Sequence, residues 1–308
     1  MSMQLTDNPF LSVIIPCYKT ASTMRLAIDS ALDQDGPVEV IVVNDGSPDD
    51  TSEIAAEYGQ RIVYLEQPNR GVAAARNLGL KHARGWFVQF LDADDKLLPG
   101  MASAFKKFAD SNASLDVLFS DILIGDDDLE TTKPFDIVFE QANPIKEMLL
   151  RCCLTTQGTI AKTQAVQDIA GLDDHLAGVD DWDLWLRLAA SGASFAKVPG
   201  MHSIWRFRTG SQSKQFVRSW NLHQAFFEKH KALYTEHLSE KEMQGLIDHV
   251  LDRDLPHLYG NDLSDGWLAR RLNRTRKAFK ASRQSRGLLR YLLKRSLGNF
   301  KRRFSQTS

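Results

Sequence analysis

The chain has 308 residues, of which 43% are hydrophobic and 25% charged, with a net charge of −1. These proportions belong to a globular protein able to bury a core in one large domain or two, and they exclude a disordered or fibrous chain. Three cysteines without a metal-ligand spacing (Cys17, Cys152 and Cys153) fit a reducing compartment rather than a disulfide framework. No run approaches the roughly 18 apolar residues of a membrane-spanning helix, and Met1–Asn8 lacks the order of a secretory signal, so a cytoplasmic location is expected.

Leu11–Pro16 reads as a short buried strand. Ser22 stands where a helix N-cap is expected, with Met24, Ala27, Ile28 and Ala31 along one face of the helix that follows. Val38–Val43 is nearly all apolar, as a strand covered on both faces is, and it stops at the turn signal Asn44-Asp45-Gly46-Ser47. Thr51–Tyr58 reads as helix, Ile62–Leu65 as strand, Gly71–Arg84 as an alanine-rich helix and Trp86–Leu91 as strand. This alternation predicts an α/β fold with a central, mostly parallel sheet and right-handed crossovers. In such sheets ligands bind beyond the carboxyl ends of the strands, where Tyr18, Asp45, Asp92 and Asp94 fall.

Met101–Phe108, Pro144–Cys153 and Asp183–Ala190 then read as helices, Val117–Ser120 and Ser194–Val198 as strands, and Asp126–Asp128 as a solvated turn. Beyond Ser213 the chain becomes helical and polar, then basic, so a main domain of residues 1–215 and a helical extension of residues 216–308 are expected. From Leu268 to Ser308 there are 14 basic residues and no acidic one, which leaves 24 basic against 39 acidic elsewhere, a net charge of −15.

Asp92-Ala93-Asp94-Asp95 follows the apolar strand directly. Hard cations such as Mg²⁺ or Mn²⁺ take carboxylate oxygens together with a substrate's phosphates, although acidic turns after strands are also common without a metal. Asp45 offers a carboxylate to a base N–H and Tyr18 a ring for stacking; alternatively Asp45 bonds its own turn. Arg70–Asn77 opens a helix with glycine and small residues, a start that admits an anion, with Arg76 either reaching the ligand or lying on an ordinary surface. Asp180, Asp181 and Asp183 stand at the start of a helix, where one can cap and another can take a proton. Arg206 and Arg208 alternate in an extended segment and suit a diphosphate, unless they line a solvated edge. The eight histidines lack zinc spacing, and neither a nucleophile elbow nor a dinucleotide glycine series is present. A phosphatase with an aspartyl nucleophile would want its acids after the first strand, where Pro16-Cys17-Tyr18 stands.

Taken in order, Ser12-Val13-Ile14-Ile15-Pro16-Cys17-Tyr18, Val43-Asn44-Asp45-Gly46-Ser47-Pro48-Asp49-Asp50-Thr51, Asn69–Gly79, Phe90-Leu91-Asp92-Ala93-Asp94-Asp95 and Gly178–Arg187 resemble glycosyltransferase family 2, inverting enzymes of the GT-A fold. The resemblance spans residues 11–213. It implies a nucleotide site of Pro16, Tyr18, Asp45, Arg76 and Asp92, with Asp92 at the ribose. It also implies a divalent metal, Mn²⁺ or Mg²⁺, on Asp94, Asp181 as general base, and a nucleotide-sugar donor in which UDP is expected. Asp180 stands where that family has glutamate and Arg208 where it often has histidine, so Arg206 and Arg208 are assigned to the diphosphate. The implied reaction is sugar transfer to a hydroxyl of a saccharide or lipid-linked acceptor in polysaccharide or glycolipid assembly. The alternative is a non-catalytic, membrane-associated binder of sugar nucleotides.

In the basic tail Leu289, Leu293, Leu297, Phe300 and Phe304 form one helical stripe flanked by Arg290, Lys294, Arg295, Lys301, Arg302 and Arg303. That pattern suits the anionic cytoplasmic face of a membrane, or else docking on the acidic domain. Aromatic residues interleaved for a nucleic acid are few, and no nucleic-acid partner is expected.

Overall fold

A computed structural model describes residues 8–207, 225–243 and 245–246. Four parallel neighbours open the sheet in the order β3-β2-β1-β4: β1 (Leu11–Cys17), β2 (Val38–Asn44), β3 (Val63–Glu66) and β4 (Phe87–Phe90). The crossovers are helices α1 (Met24–Leu32), α2 (Thr51–Ala56) and α3 (Val72–His82). Every residue of β1 is buried, because helices cover both faces. Val13, Ile15 and Cys17 share one core cluster with Met24, Ala27 and Ile28 of α1. Ile14 points the other way, onto α3, where a Cβ added at Gly79 would meet its Cγ2 at 2.5 Å. Gly79 thus lets α3 lie close to the strand.

Beyond β4 the pairing turns mixed. The later elements are β5 (Lys96–Leu97), α4 (Met101–Ser111), β6 (Val117–Gly125), β7 (Thr132–Phe135), α5 (Pro144–Leu150), β8 (Thr159–Lys162), α6 (Thr163–Asp168), α7 (Asp180–Ala190) and β9 (Phe195–Arg206). They continue the sheet as β4-β8-β6-β9-β5, with β7 beside β6. Among the described residues there, β6 and β9 pair in parallel, whereas β4–β8, β6–β8, β6–β7 and β5–β9 are antiparallel.

Four local expectations are corrected. Thr23, not Ser22, takes the N-cap position of α1, and no side chain caps it. Helix α5 ends at Leu150 because Arg151 turns extended, at φ −164 and ψ 154. Helix α7 starts at Asp180 rather than Asp183, so Asp180 and Asp181 join Asp183 in the first turn, where they complement the positive end of the helix dipole. Strand β9 runs on to Arg206 through Pro199-Gly200, a turn signal absorbed by the register shifts of its pairing with β6.

The chain divides into two compact units, Met1–Gln215 and Phe216–Ser308. In the second, Lys231–His237 forms helix α8 with Tyr234 buried. Arg208 and the basic tail stripe lie outside the described residues.

Candidate active site

Three loops meet at the carboxyl ends of β1, β2 and β3. Asp45 is their hub, only 3% exposed. Its Oδ1 accepts Gln67 Nε2 (2.7 Å) and the Arg70 amide (2.9 Å), and its Oδ2 accepts the Gly71 amide (2.8 Å). The bonds of Asp45 therefore go to the β3–α3 loop, not to its own turn. Gly71 holds a φ of 91 at the N-cap of α3, backbone that glycine adopts without strain. Gly46, at φ +63, is confined as well: a Cβ there would sit 2.7 Å from the Asn69 amide nitrogen. Pro16 is buried within β1, whereas Tyr18, just past it, exposes 43% of its surface. The Tyr18 ring is open to stack on a flat ligand, with the Lys19 ammonium 5.3 Å from its centroid.

Arg76 is no surface arginine: it is 5% exposed. Its Nη2 lies 2.5 Å from Asp92 and its Nη1 2.7 Å from Asp180. One guanidinium from α3 thereby ties the acid after β4 to the first turn of α7, and its partner there, Asp180, lies 104 residues further along the chain than Arg76. Burial alone would lower the affinity of Arg76 for its proton, and the two carboxylates more than reverse that. Removing one partner from such a buried pair typically costs about 3–5 kcal/mol.

Asp180 is fully engaged, since its other oxygen accepts the Gly178 amide at 2.8 Å. Asp183 is held by Arg187 at 2.6 Å. Asp181 differs, accepting the adjacent Trp182 amide. Burial, and then the charge of Asp180, push its carboxyl up to about 6, with Arg76 acting in opposition.

In the loop after β4, Asp94 is half-buried and its neighbour Asp95 is 1% exposed. Burial, with the charges of Asp92 and Asp94, raises the Asp95 carboxyl well above the usual carboxylate range. That crowding of negative charge suits a cation. Arg206 does not stand open to a diphosphate, contrary to expectation. It is 8% exposed, its Nε donates to the Asp94 carbonyl (2.7 Å), its Nη1 to the Asp127 carbonyl and its amide to Asp95 Oδ1 (2.9 Å). Arg206 fastens the Asp92–Asp95 loop to β9 and to the exposed turn Asp126–Asp128.

Asp173, Asp174 and His175 also bring ligand atoms within 4.8 Å of one another, a grouping the histidine spacing did not signal. Its His175 side chain is 94% exposed, and acidic groups of that kind are common on surfaces.

A half-parallel sheet with an aspartate hub, an Asp-x-Asp loop and acids opening a helix is the architecture of GT-A transferases. The sequence profile described as Glycosyl transferase family 2 matches residues 12–168, just over half the chain, and the chain belongs to that family. It is 47% identical over 93 residues to the uncharacterized glycosyltransferase RP339 of Rickettsia prowazekii, covering 30% of this chain and 29% of that protein. It is 30% identical over 226 residues to glycosyltransferase GlyA of Streptococcus pneumoniae, covering 68% of this chain and 32% of that protein. The chain thus spans about a third of the length of these curated relatives. Among solved structures, S. aureus TarS 1–349 in complex with UDP-GlcNAc superposes with a TM-score of 0.62 at 19% identity, over 83% of this chain and 77% of that one. At that identity the match establishes the fold.

Proposed function

We propose that the chain is an inverting, metal-dependent glycosyltransferase that moves a sugar from a UDP-sugar to a hydroxyl acceptor, with residues 1–215 as its catalytic domain. One observation carries this reading. Of the acids opening α7, Asp180 and Asp183 are held by arginines, while Asp181 has its carboxyl raised to about 6, close to the pH at which a general base works. Asp181 takes the proton of the acceptor hydroxyl as that oxygen bonds to the anomeric carbon. The bond from that carbon to the diphosphate oxygen breaks on the opposite side, its electron pair leaves with the UDP, and the centre inverts. Tyr18 and Asp45 hold the base and Asp92 the ribose. The TarS complex with UDP-GlcNAc supports a uridine donor by analogy.

Asp94 would hold Mn²⁺ or Mg²⁺, and the crowded carboxylates around it fit a hard cation. When bound, such a cation neutralises charge on the diphosphate as it departs. Arg206 contributes by fixing the loop that carries Asp94.

The basic tail is assigned to the anionic cytoplasmic face of a membrane, where a lipid-linked or saccharide acceptor is presented. Among the described residues no helix is long and apolar enough to cross a membrane. A thermal-shift panel of UDP-, GDP-, dTDP- and CMP-sugars with and without Mn²⁺ tests the donor assignment. A UDP-sugar with Mn²⁺ is expected to raise the melting temperature most. Stabilisation by another nucleotide, or by none, would contradict it.

A further inference from the structure

We infer that Asp49 is a positioning residue for the nucleobase end of the donor site, its carboxylate clamping the Tyr18–Ala21 turn onto the end of β2. This deepens the proposed function and rests on it for the ligand, but the clamp itself is visible without one. Asp49 Oδ1 serves its own loop, accepting Ser47 Oγ (2.5 Å), Thr51 Oγ1 (2.6 Å) and the Thr51 amide (3.3 Å). An ordinary turn aspartate needs no more than that. Oδ2, however, reaches across to the Ala21 amide at 3.0 Å, 28 residues earlier in the chain. Ser47 Oγ meanwhile accepts the Lys19 amide at 2.8 Å. Two donors of the β1–α1 turn are thus held by one Ser47–Asp49 pair.

That turn needs holding. Lys19 has a φ of 56 without being glycine, a conformation that persists only where surrounding structure imposes it. The residue before it is Tyr18, whose exposed ring is the stacking surface. Beyond the adjacent backbone bond from the Asp45 amide to the Cys17 carbonyl (2.9 Å), these two side chains hold the Tyr18 turn against the loop that carries Asp45. Burial works against the charged form of Asp49, but the bonds from Ser47, Thr51 and the Ala21 amide prevail and bring its carboxyl to about 2. The clamp stays ionised at neutral pH. Asp49 does not touch the base; it sets where Tyr18 can meet it.

Asp49→Ala tests this in the full chain, because it removes the acceptor of the Ala21 amide together with those of Ser47 and Thr51. Asp49 is half-exposed, so the core is spared, and unchanged exchange at the Val13–Ile15 amides verifies that. Hydrogen exchange at the Ala21 amide is expected to rise by about tenfold or more. Ser47→Ala, an independent variant, should release the Lys19 amide instead. Calorimetry with UDP should show about tenfold weaker binding for Asp49→Ala and for Tyr18→Ala, while adding Asp49→Ala to Tyr18→Ala costs less than about threefold, since both act through one ring. Unchanged Ala21 exchange overturns the clamp whatever UDP does. Losses that multiply, or unchanged UDP affinity in Asp49→Ala, overturn its action through Tyr18. A wild-type chain that binds no UDP overturns the donor reading and with it the role at the nucleobase, while released Ala21 exchange still supports the clamp.

Discussion

Asp94 and Arg206 divide one task at the residue scale. The arginine holds the loop through backbone carbonyls, and the carboxylate is assigned to the cation. Asp94→Ala should therefore leave the fold intact, with an unchanged melting temperature, and abolish Mn²⁺-dependent binding of UDP in calorimetry. Persistent Mn²⁺ dependence would remove Asp94 from the metal site. The acids themselves were legible in the sequence because each follows an apolar strand or opens an apolar helix. Their partners were not. Arg76 meets Asp180 across 104 residues and the Arg206 amide meets Asp95 across 111, and no local pattern encodes such pairs. Asp49 was visible only as part of a motif, because its bond to Ala21 depends on how two loops fold together.

At the scale of elements, the first half of the sheet was legible because β1, β2 and β4 are apolar runs bounded by turn signals, alternating with helices of clear period. Beyond β4 that alternation ends. The sequence does not say that β8 inserts antiparallel between β4 and β6, since short apolar strands carry no direction of their own. Helix α3 shows how closely the legible half is packed. Replacing Gly79 by alanine gains about 1 kcal/mol of helix propensity, but the new Cβ would sit 2.5 Å from Ile14 Cγ2. Ile14 is wholly buried in β1 and cannot retreat, so overpacking of about 1–3 kcal/mol prevails. Gly79→Ala should lower the denaturant midpoint with an unchanged slope. A midpoint at or above that of the wild type would mean that α3 can shift away from the strand.

At the scale of the whole molecule, charge is segregated. Fourteen basic residues and no acidic one lie from Leu268 onward, and the rest of the sequence carries a net charge of −15. At about 1 kcal/mol for each basic residue near an anionic surface, half of them suffice for reversible membrane binding. Full-length protein should sediment with anionic liposomes in a salt-sensitive way, and a chain truncated at Asp265 should not. Equal binding by both would remove the tail from the account. The central claim is that Asp181 removes the acceptor's proton, and one measurement addresses it most directly: UDP release at saturating UDP-sugar, followed across pH for wild type and Asp181→Asn. A base must be ionised to act, so a carboxyl raised to about 6 predicts that wild-type turnover falls as pH drops through that value, well above the usual carboxylate range. The variant should lose that limb and turn over on the order of a hundredfold to ten-thousandfold more slowly, with donor affinity retained. Turnover equal to wild type, or a collapse of donor binding in Asp181→Asn, would contradict the account.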